Sequence, residues 1–208
     1  VDHLKNIGAR IFIGHGVENV QGADLVIYTD AIANDNIELV AARGLDVPVV
    51  DRASFLGAIM KNYTHSIAVS GTHGKTTTTS MLATIINHSS LNPTILLGGE
   101  LDDIGGNVKL GSDEYLLTEA CEYKANILKY FPSIAVVLNV DEDHLDFFKS
   151  IDHITDTFLE YINNLEEEDT LIANIDDPQV KKLTQHSKSK VITIGLDNQA
   201  DFVANNID

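Results

Sequence analysis

The sequence predicts an α/β fold built on a parallel sheet. Short apolar runs bounded by turn residues alternate with longer segments in which apolar residues recur at helical spacing. Hydrophobic residues make up 44% of the 208 residues and proline occupies only 4 positions, which indicates a globular chain. A chain of this length forms one large domain or two smaller ones.

The strands and helices are predicted from these runs in chain order. Residues 35–43 are predicted to form a helix closed by Gly44, and residues 53–61 to form another. Further helices are expected between most of the strands. Strands are expected at residues 10–13, 25–29, 47–50, 66–70, 94–97, 114–119, 134–139, 170–174 and 190–195.

The polar stretch at residues 62–65 predicts a domain boundary, because a new strand and helix series begins directly after it. We therefore expect one unit at residues 1–62 and a second at residues 63–208. Residues 1–8 resemble the end of a helix, and residues 201–208 resemble the start of a strand. Both units are thus expected to be incomplete.

The charge balance limits the partners. Acidic residues outnumber basic ones by 31 to 14, which gives a formal net charge of -17 and argues against nucleic acid or an anionic membrane as a partner. The single cysteine, Cys121, excludes an internal disulfide and favours a reducing compartment, so a cytoplasmic location is expected. No signal peptide is recognisable, and no apolar run approaches the ~20 residues that span a bilayer.

A phosphate-binding loop is predicted between an apolar strand and a helix. The loop follows Ser70 and matches the pattern G-x-x-G-K-T, with Val69 where the longer form of this motif has a glycine. Glycines let backbone N–H groups face an anion, Lys75 neutralises phosphate charge, and Thr76 offers a hydroxyl to Mg²⁺. The residues predicted to bind ATP are Gly71, Thr72, His73, Gly74, Lys75, Thr76 and Thr77.

Candidate metal ligands follow two later strands. Glu119 ends one apolar run, and His144 lies in the loop after another, which is where open α/β sheets place ligands. A helix-capping or solvated carboxylate is the alternative for Glu119, and a surface histidine is the alternative for His144. Gly14-His15-Gly16 resembles part of a dinucleotide fingerprint, but Asn19 stands at the third glycine position, so NAD is not expected.

Four segments together resemble the Mur ligase family, and the stretch from residue 22 to residue 49 resembles the second half of that family's UDP-binding domain. The resemblance implies a Rossmann-like UDP-binding domain, a P-loop ATPase domain and a third domain that binds the amino acid. This chain would hold part of the first and part of the second, so the piece alone is not expected to complete the reaction. The four segments are residues 71–78, 98–100, 118–123 and 139–146.

The activity that this resemblance implies is ATP-dependent amide formation in the synthesis of peptidoglycan precursors. L-alanine would be joined to the lactyl carboxylate of UDP-N-acetylmuramate through an acyl phosphate. Lys75 would bind the phosphates, Thr76 and Glu119 would hold one Mg²⁺, and His144 would hold a second that bridges the γ-phosphate and the carboxylate. The residues implied at the UDP-sugar are His15, Thr29, Asp30, Gly98, Gly99 and Asn107.

Two details favour the L-alanine-adding branch of the family over the later-acting ligases. His73 stands in the loop, where those ligases more often have asparagine, and their carbamylated helix lysine has no counterpart between Lys149 and Lys181. A recycling ligase that attaches a tripeptide to the same sugar remains an alternative. So do an unrelated P-loop ATPase and a non-catalytic binding module.

Overall fold

The computed structural model describes residues 2–196 and 199–207 and contains two compact units, Val1–Phe55 and Leu56–Asp208. Each unit has α-helices and a sheet with parallel strands, so the predicted α/β class is confirmed. Among the described residues, no helix has both the length and the apolar character needed to cross a membrane.

The first unit is built around a small two-stranded parallel sheet. Asn36 caps the helix that follows the first strand by accepting a hydrogen bond from the N–H of Glu38, and this helix buries Leu39 and Ala42. The elements are helix α1 (Asp2–Asn6), a 3₁₀ helix (Val17–Val20), β1 (Val26–Tyr28), α2 (Ile37–Gly44) and β2 (Val49–Asp51), and α3 (Arg52–Met60) begins at the end of the unit.

The prediction of a strand at residues 10–13 is wrong. This segment is irregular, and the side chains of Phe12 and Ile13 are 55% and 93% exposed. Among the residues that the structure describes, the sheet of this unit consists of β1 and β2. An apolar run without a neighbouring strand cannot pair its backbone groups, so its β-propensity alone does not produce a strand.

The second unit contains an eight-stranded sheet in the order β10-β9-β8-β7-β3-β6-β4-β5, parallel except for the antiparallel pair β4 and β5. Its strands are β3 (His65–Ser70), β4 (Thr94–Leu101), β5 (Gly106–Lys109), β6 (Tyr115–Glu119), β7 (Ile134–Val137), β8 (Thr170–Asn174), β9 (Lys190–Gly195) and β10 (Phe202–Val203). Its helices after α3 are α4 (Lys75–Asn87), α5 (Ile151–Ile162) and α6 (Pro178–Thr184), and 3₁₀ helices cover Asp102–Ile104 and Tyr123–Lys129.

The centre of this sheet is largely buried. β3 pairs with β6 on one side and β7 on the other, and α4 contacts β3, β4 and β6. The core beneath α4 includes Val69, Ala83, Ile95, Leu117 and Val136. Because β3 and β7 are parallel neighbours, the loops that follow them emerge at the same edge of the sheet. This edge carries the predicted phosphate loop.

Strand bounds differ from prediction mainly at this edge. The strand predicted at residues 134–139 ends at Val137, because Leu138 and Asn139 leave the ladder and bond to the phosphate loop and its strand. The strand predicted at residues 94–97 extends to Leu101, where it pairs with β5, a strand that was not predicted. β8 and β9 have the predicted bounds.

Candidate functional site

The predicted phosphate loop joins β3 to α4 and depends on two glycines. Gly71 has φ +139° and Gly74 has φ +81°, conformations that side-chain-bearing residues rarely adopt. A Cβ on Gly71 would lie 3.0 Å from the Cβ of Leu138 and 3.1 Å from the backbone nitrogen of Asn139. The loop is therefore pressed against the segment that follows β7, and glycine is required for that approach.

Asn139 and its neighbours hold the loop in shape. The Asn139 side chain accepts a hydrogen bond from the N–H of His73 (2.7 Å) and donates one to its carbonyl oxygen (3.0 Å). The N–H of Thr72 donates to the Asn139 carbonyl oxygen at 3.1 Å, and the Thr72 hydroxyl accepts from the N–H of Asp141 at 2.9 Å. These bonds connect positions almost seventy residues apart, so both segments form the loop together.

Lys75, at the first turn of α4, is folded back over the loop. Its ammonium donates to the carbonyl oxygens of Gly71 (2.7 Å) and Thr72 (3.0 Å) and to both carboxylate oxygens of Glu122 (3.1 and 2.9 Å). The side chains of Lys75 and Glu122 are 16% and 2% exposed. A buried ion pair thus lies at the N-terminus of α4, where the helix dipole also favours an anion.

Thr76 and Glu119 form a pair of oxygen donors next to the loop. The Thr76 hydroxyl donates to Glu119 Oε2 at 2.8 Å, and the other carboxylate oxygen accepts the N–H of Gly98 at 2.7 Å. Glu119 stands at the end of β6 and Gly98 lies in β4, so two neighbouring strands aim this carboxylate at the helix. A hydroxyl and a carboxylate at this distance are suitable ligands for one small oxygen-seeking cation.

His144 also lies near Glu122 and has aromatic and polar contacts. Its Nε2 is 3.6 Å from Glu122 Oε1, and its Nδ1 is 4.0 Å from Asp143 Oδ1. The Tyr123 ring packs on the imidazole with centroids 4.7 Å apart, while the Tyr123 hydroxyl donates to Asp146 at 2.9 Å. His144 also has φ +50°, an uncommon conformation for a non-glycine residue that is found at functional sites.

The residues of this site fit Mg²⁺ held jointly by protein and nucleotide. Among residues 2–196 and 199–207, His, Cys, Asp and Glu side chains form no group of three or more that would hold a metal by themselves. Mg²⁺ commonly takes one or two carboxylates and completes its shell with water and substrate phosphates. Thr76 with Glu119 would provide such a partial shell, and His144 beside Glu122 would provide a second.

Three other predicted residues lie near the loop or at the edge of the same sheet. Thr77 is exposed on the first turn of α4. Gly99 lies in β4, and a Cβ there would be 3.4 Å from Thr76 Cγ2, so this glycine borders the loop. Asn107 is exposed on β5, which is the edge strand of the same sheet.

The residues predicted at the UDP-sugar in the first unit belong to two loops. His15 Nδ1 lies 2.7 Å from Glu38 Oε2, and Glu38 also accepts from the Asn19 amide at 2.6 Å and from the N–H of Gly16 at 3.4 Å. The hydrogen bonds from His15 and Asn19 hold the pKa of Glu38 below its usual value. The structure therefore brings His15 into a polar network anchored on α2.

Thr29 and Asp30 directly follow β1, at the carboxyl end of that strand. The Thr29 hydroxyl accepts a hydrogen bond from the N–H of Ala31 at 3.3 Å. Both residues are exposed. They occupy the type of position at which parallel sheets place ligand-binding side chains.

Glu122 and Asn139 are part of the site but were not predicted as site residues. Glu122 stands three positions after Glu119, in a segment that was singled out only as a whole. A second acidic residue three positions after a predicted ligand was the available signal. Its burial against Lys75, which is 47 positions away in sequence, could not be predicted from one chain.

Comparison with known proteins identifies the family of both units. Residues 69–208 match the Mur ligase middle domain, and residues 1–64 match a domain described as the Mur ligase family, catalytic domain. The chain is 49% identical over 205 residues to UDP-N-acetylmuramate–L-alanine ligase of Alkaliphilus metalliredigens, covering 99% of the chain and 45% of that protein. The corresponding ligase of Clostridium beijerinckii is 48% identical over 207 residues, again with 45% of its length covered. The chain thus spans about half the length of the curated relatives it matches.

Solved structures show the same relationship. The structure of UDP-N-acetylmuramate-alanine ligase MurC from Thermotoga maritima has a TM-score of 0.80 at 30% identity, covering 95% of this chain and 44% of that one. A murein peptide ligase from Psychrobacter arcticus has a TM-score of 0.85 at 23% identity, covering 100% and 48%, and shares the fold. The matched middle domain takes in more than half of the chain and includes the phosphate loop, Glu119, Glu122 and His144. The chain therefore belongs to the Mur ligase family.

Proposed function

We propose that the protein containing this chain is an ATP-dependent ligase that joins L-alanine to the lactyl carboxylate of UDP-N-acetylmuramate, in the synthesis of peptidoglycan precursors in the cytoplasm. The observation that carries this proposal is the cluster of Lys75, Thr76, Glu119 and His144 at one edge of the sheet, in a chain 48–49% identical to two ligases of that name. A phosphate loop with adjacent oxygen and nitrogen ligands fits phosphoryl transfer from ATP.

The proposed reaction has two steps. A carboxylate oxygen of UDP-N-acetylmuramate attacks the γ-phosphorus of ATP, and ADP leaves, which produces an acyl phosphate. The amine of L-alanine then attacks the acyl carbon, loses a proton, and displaces inorganic phosphate. Both steps concentrate negative charge on phosphoryl and acyl oxygens, so the catalytic task is positioning and charge stabilisation.

Roles for the residues of the loop follow from their positions. Backbone N–H groups of residues 71–77 and the N-terminus of α4 would hold the phosphates, and Lys75 would move from its present carbonyl partners to the transferred phosphoryl group. Thr76 and Glu119 would hold one Mg²⁺ and His144 a second. Bound there, Mg²⁺ would neutralise charge on the phosphates.

Contacts to the sugar nucleotide are proposed for each unit separately. His15, oriented by Glu38, and the exposed Thr29 and Asp30 are proposed contacts in the first unit. Gly98, Gly99 and Asn107 are proposed contacts in the second, the first two beside Thr76 and Glu119. We propose that residues 1–62 belong to the UDP-sugar-binding domain and residues 63–208 to the ATPase domain.

L-alanine is proposed over a tripeptide as the second substrate because the relatives named for L-alanine have the higher sequence identity to this chain. The murein peptide ligase shares the fold, but its 23% identity is half that of the two L-alanine ligases. His73 in the loop and the absence of a lysine from α5 argue against the later-acting ligases of the family but do not distinguish L-alanine from the tripeptide.

Phosphate release by the full-length protein tests the proposal. UDP-N-acetylmuramate, Mg²⁺ and ATP are supplied with each member of a panel of amino acids and with the tripeptide. L-alanine should give the highest rate, and Lys75→Ala should abolish release while binding of UDP-N-acetylmuramate, measured by calorimetry, is retained. Release with the tripeptide alone would establish the recycling activity instead, and turnover by Lys75→Ala would refute the role of Lys75.

A further inference from the structure

Glu122 is the most buried charged side chain of the site, and the proposed mechanism gives it no task. Its side chain is 2% exposed, and its carboxylate lies 2.9 Å from Lys75 Nζ and 3.6 Å from His144 Nε2. Lys75 comes from α4 and His144 from the loop after β7. Glu122 therefore connects the phosphate-binding group with the proposed ligand of the second metal.

The backbone that begins at Glu122 forms a closed turn. Lys124 and Ala125, two and three positions after Glu122, have φ +52° and +56°, which are two successive left-handed conformations. The Glu122 carbonyl oxygen accepts a hydrogen bond from the N–H of Ala125 at 2.9 Å, which closes this turn. The turn fixes the backbone from which the Glu122 side chain extends.

Lys75 cannot bind a phosphate in its present arrangement without giving up a partner. An ammonium group has three N–H donors, and four acceptor atoms, those of Gly71, Thr72 and the two carboxylate oxygens of Glu122, already lie within 3.1 Å. A phosphate that draws Lys75 away leaves the buried carboxylate of Glu122 without its counter-ion. Such a buried, unpaired charge is strongly unfavourable.

We propose that Glu122 couples phosphate binding to divalent-cation binding: it opposes a metal-free nucleotide by holding Lys75, and it accepts a nucleotide that brings Mg²⁺ to His144. A cation beside His144 replaces the ammonium as the counter-ion of Glu122. Glu122 is thus a positioning residue that makes the site select the metal complex of the nucleotide. This inference rests on the proposed function, since it assumes that Lys75 binds nucleotide phosphates.

Nucleotide affinity with and without metal tests this coupling. Binding of ADP, and of a non-hydrolysable ATP analogue, to the full-length protein is measured by calorimetry in MgCl₂ and in EDTA. In wild type, Mg²⁺ should strengthen binding strongly. In Glu122→Gln, metal-free binding should tighten at least about fivefold, a typical size for coupling between sites, and the gain from Mg²⁺ should shrink by a similar factor.

Glu142→Gln is the matched control, since it removes the same charge from an exposed residue two positions before His144. It should leave the ratio of the two affinities unchanged. If Glu122→Gln is too unstable to titrate, Glu122→Asp, which withdraws the charge by one methylene, should shift the ratio in the same direction by less.

The outcomes separate this inference from the proposed function. An unchanged Mg²⁺ dependence in Glu122→Gln, or weaker metal-free binding than in wild type, refutes the coupling while ligase activity and nucleotide binding stand. If wild type binds neither nucleotide in the presence of Mg²⁺, the ATPase assignment itself fails.

Discussion

Neutralising both members of the Lys75–Glu122 ion pair should destabilise the protein less than the two single substitutions predict together. Lys75→Met leaves a carboxylate that is 2% exposed without its ammonium, and removing one partner of a buried pair costs about 3–5 kcal/mol. Glu122→Gln leaves a lysine that still has the carbonyl oxygens of Gly71 and Thr72, so we expect the smaller loss, about 2 kcal/mol. The double variant contains no unpaired charge. The double-mutant cycle of Lys75→Met and Glu122→Gln should therefore give a coupling free energy of about 2–3 kcal/mol.

Urea unfolding of the nucleotide-free protein, followed by circular dichroism, measures this coupling. The exposed pair Lys188–Glu166 provides the control, because its atoms are also 2.9 Å apart but its side chains are 46% and 65% exposed. The cycle of Lys188→Met and Glu166→Gln should give less than about 1 kcal/mol. Equal couplings in the two cycles would show that burial adds nothing to the Lys75–Glu122 pair and would refute the requirement of Glu122 for a counter-ion.

Three further predictions concern single residues. Gly71→Ala should weaken nucleotide binding at least about tenfold, because its Cβ would lie 3.0 Å from Leu138 in a strained backbone conformation. The control Gly44→Ala should be neutral, because a Cβ there meets nothing within 4 Å. Equal nucleotide affinities of the two variants would refute the close packing of Gly71 as a requirement for binding. Glu119→Gln should raise the half-saturating Mg²⁺ concentration of phosphate release, and an unchanged metal titration would leave Glu119 only a structural role. Burial raises the pKa of Tyr161, whose hydroxyl has no hydrogen-bond partner among the described residues. The contribution of the neutral Tyr161 side chain to the free energy of unfolding is therefore complete below the unfolded pKa of about 10 and is lost as pH rises above it. Tyr161→Phe should therefore flatten the alkaline decline in a series of thermal melts, with a gain of about 1 kcal/mol at neutral pH, and an equally steep decline would refute this assignment.

The sheet could be predicted largely because its central strands are continuous apolar runs. β8 and β9 have the predicted bounds, and both are interior strands bounded by turn residues. β5 was missed because it has four residues, begins with glycine and pairs only at one edge of the sheet. The run at residues 10–13 was a false strand because its apolar pattern says nothing about whether a neighbour is present.

Only those residues of the site that lie close together in sequence or end a recognisable strand could be predicted. Gly71, Lys75 and Thr76 lie within six residues, and Glu119 was found because it ends a recognisable strand. Asn139 and Glu122 act through bonds to residues 66 and 47 positions away, and such partners become visible only when β7 and β6 are placed on either side of β3. The long-range part of the site therefore follows from the strand order.

The acidic balance of the chain and the position of Glu122 favour the same form of nucleotide. A net charge of -17 repels free ATP more than its magnesium complex, because the metal removes two of the nucleotide's negative charges before it arrives. Within the site, Glu122 cancels the charge of Lys75, so the attraction of the resting loop for phosphate comes mainly from backbone N–H groups and the N-terminus of α4. Such a site without net charge would attract a highly charged anion weakly. Under the proposed coupling, a nucleotide that carries its own cation would both lower the repulsion and supply the charge that Glu122 needs once Lys75 has moved.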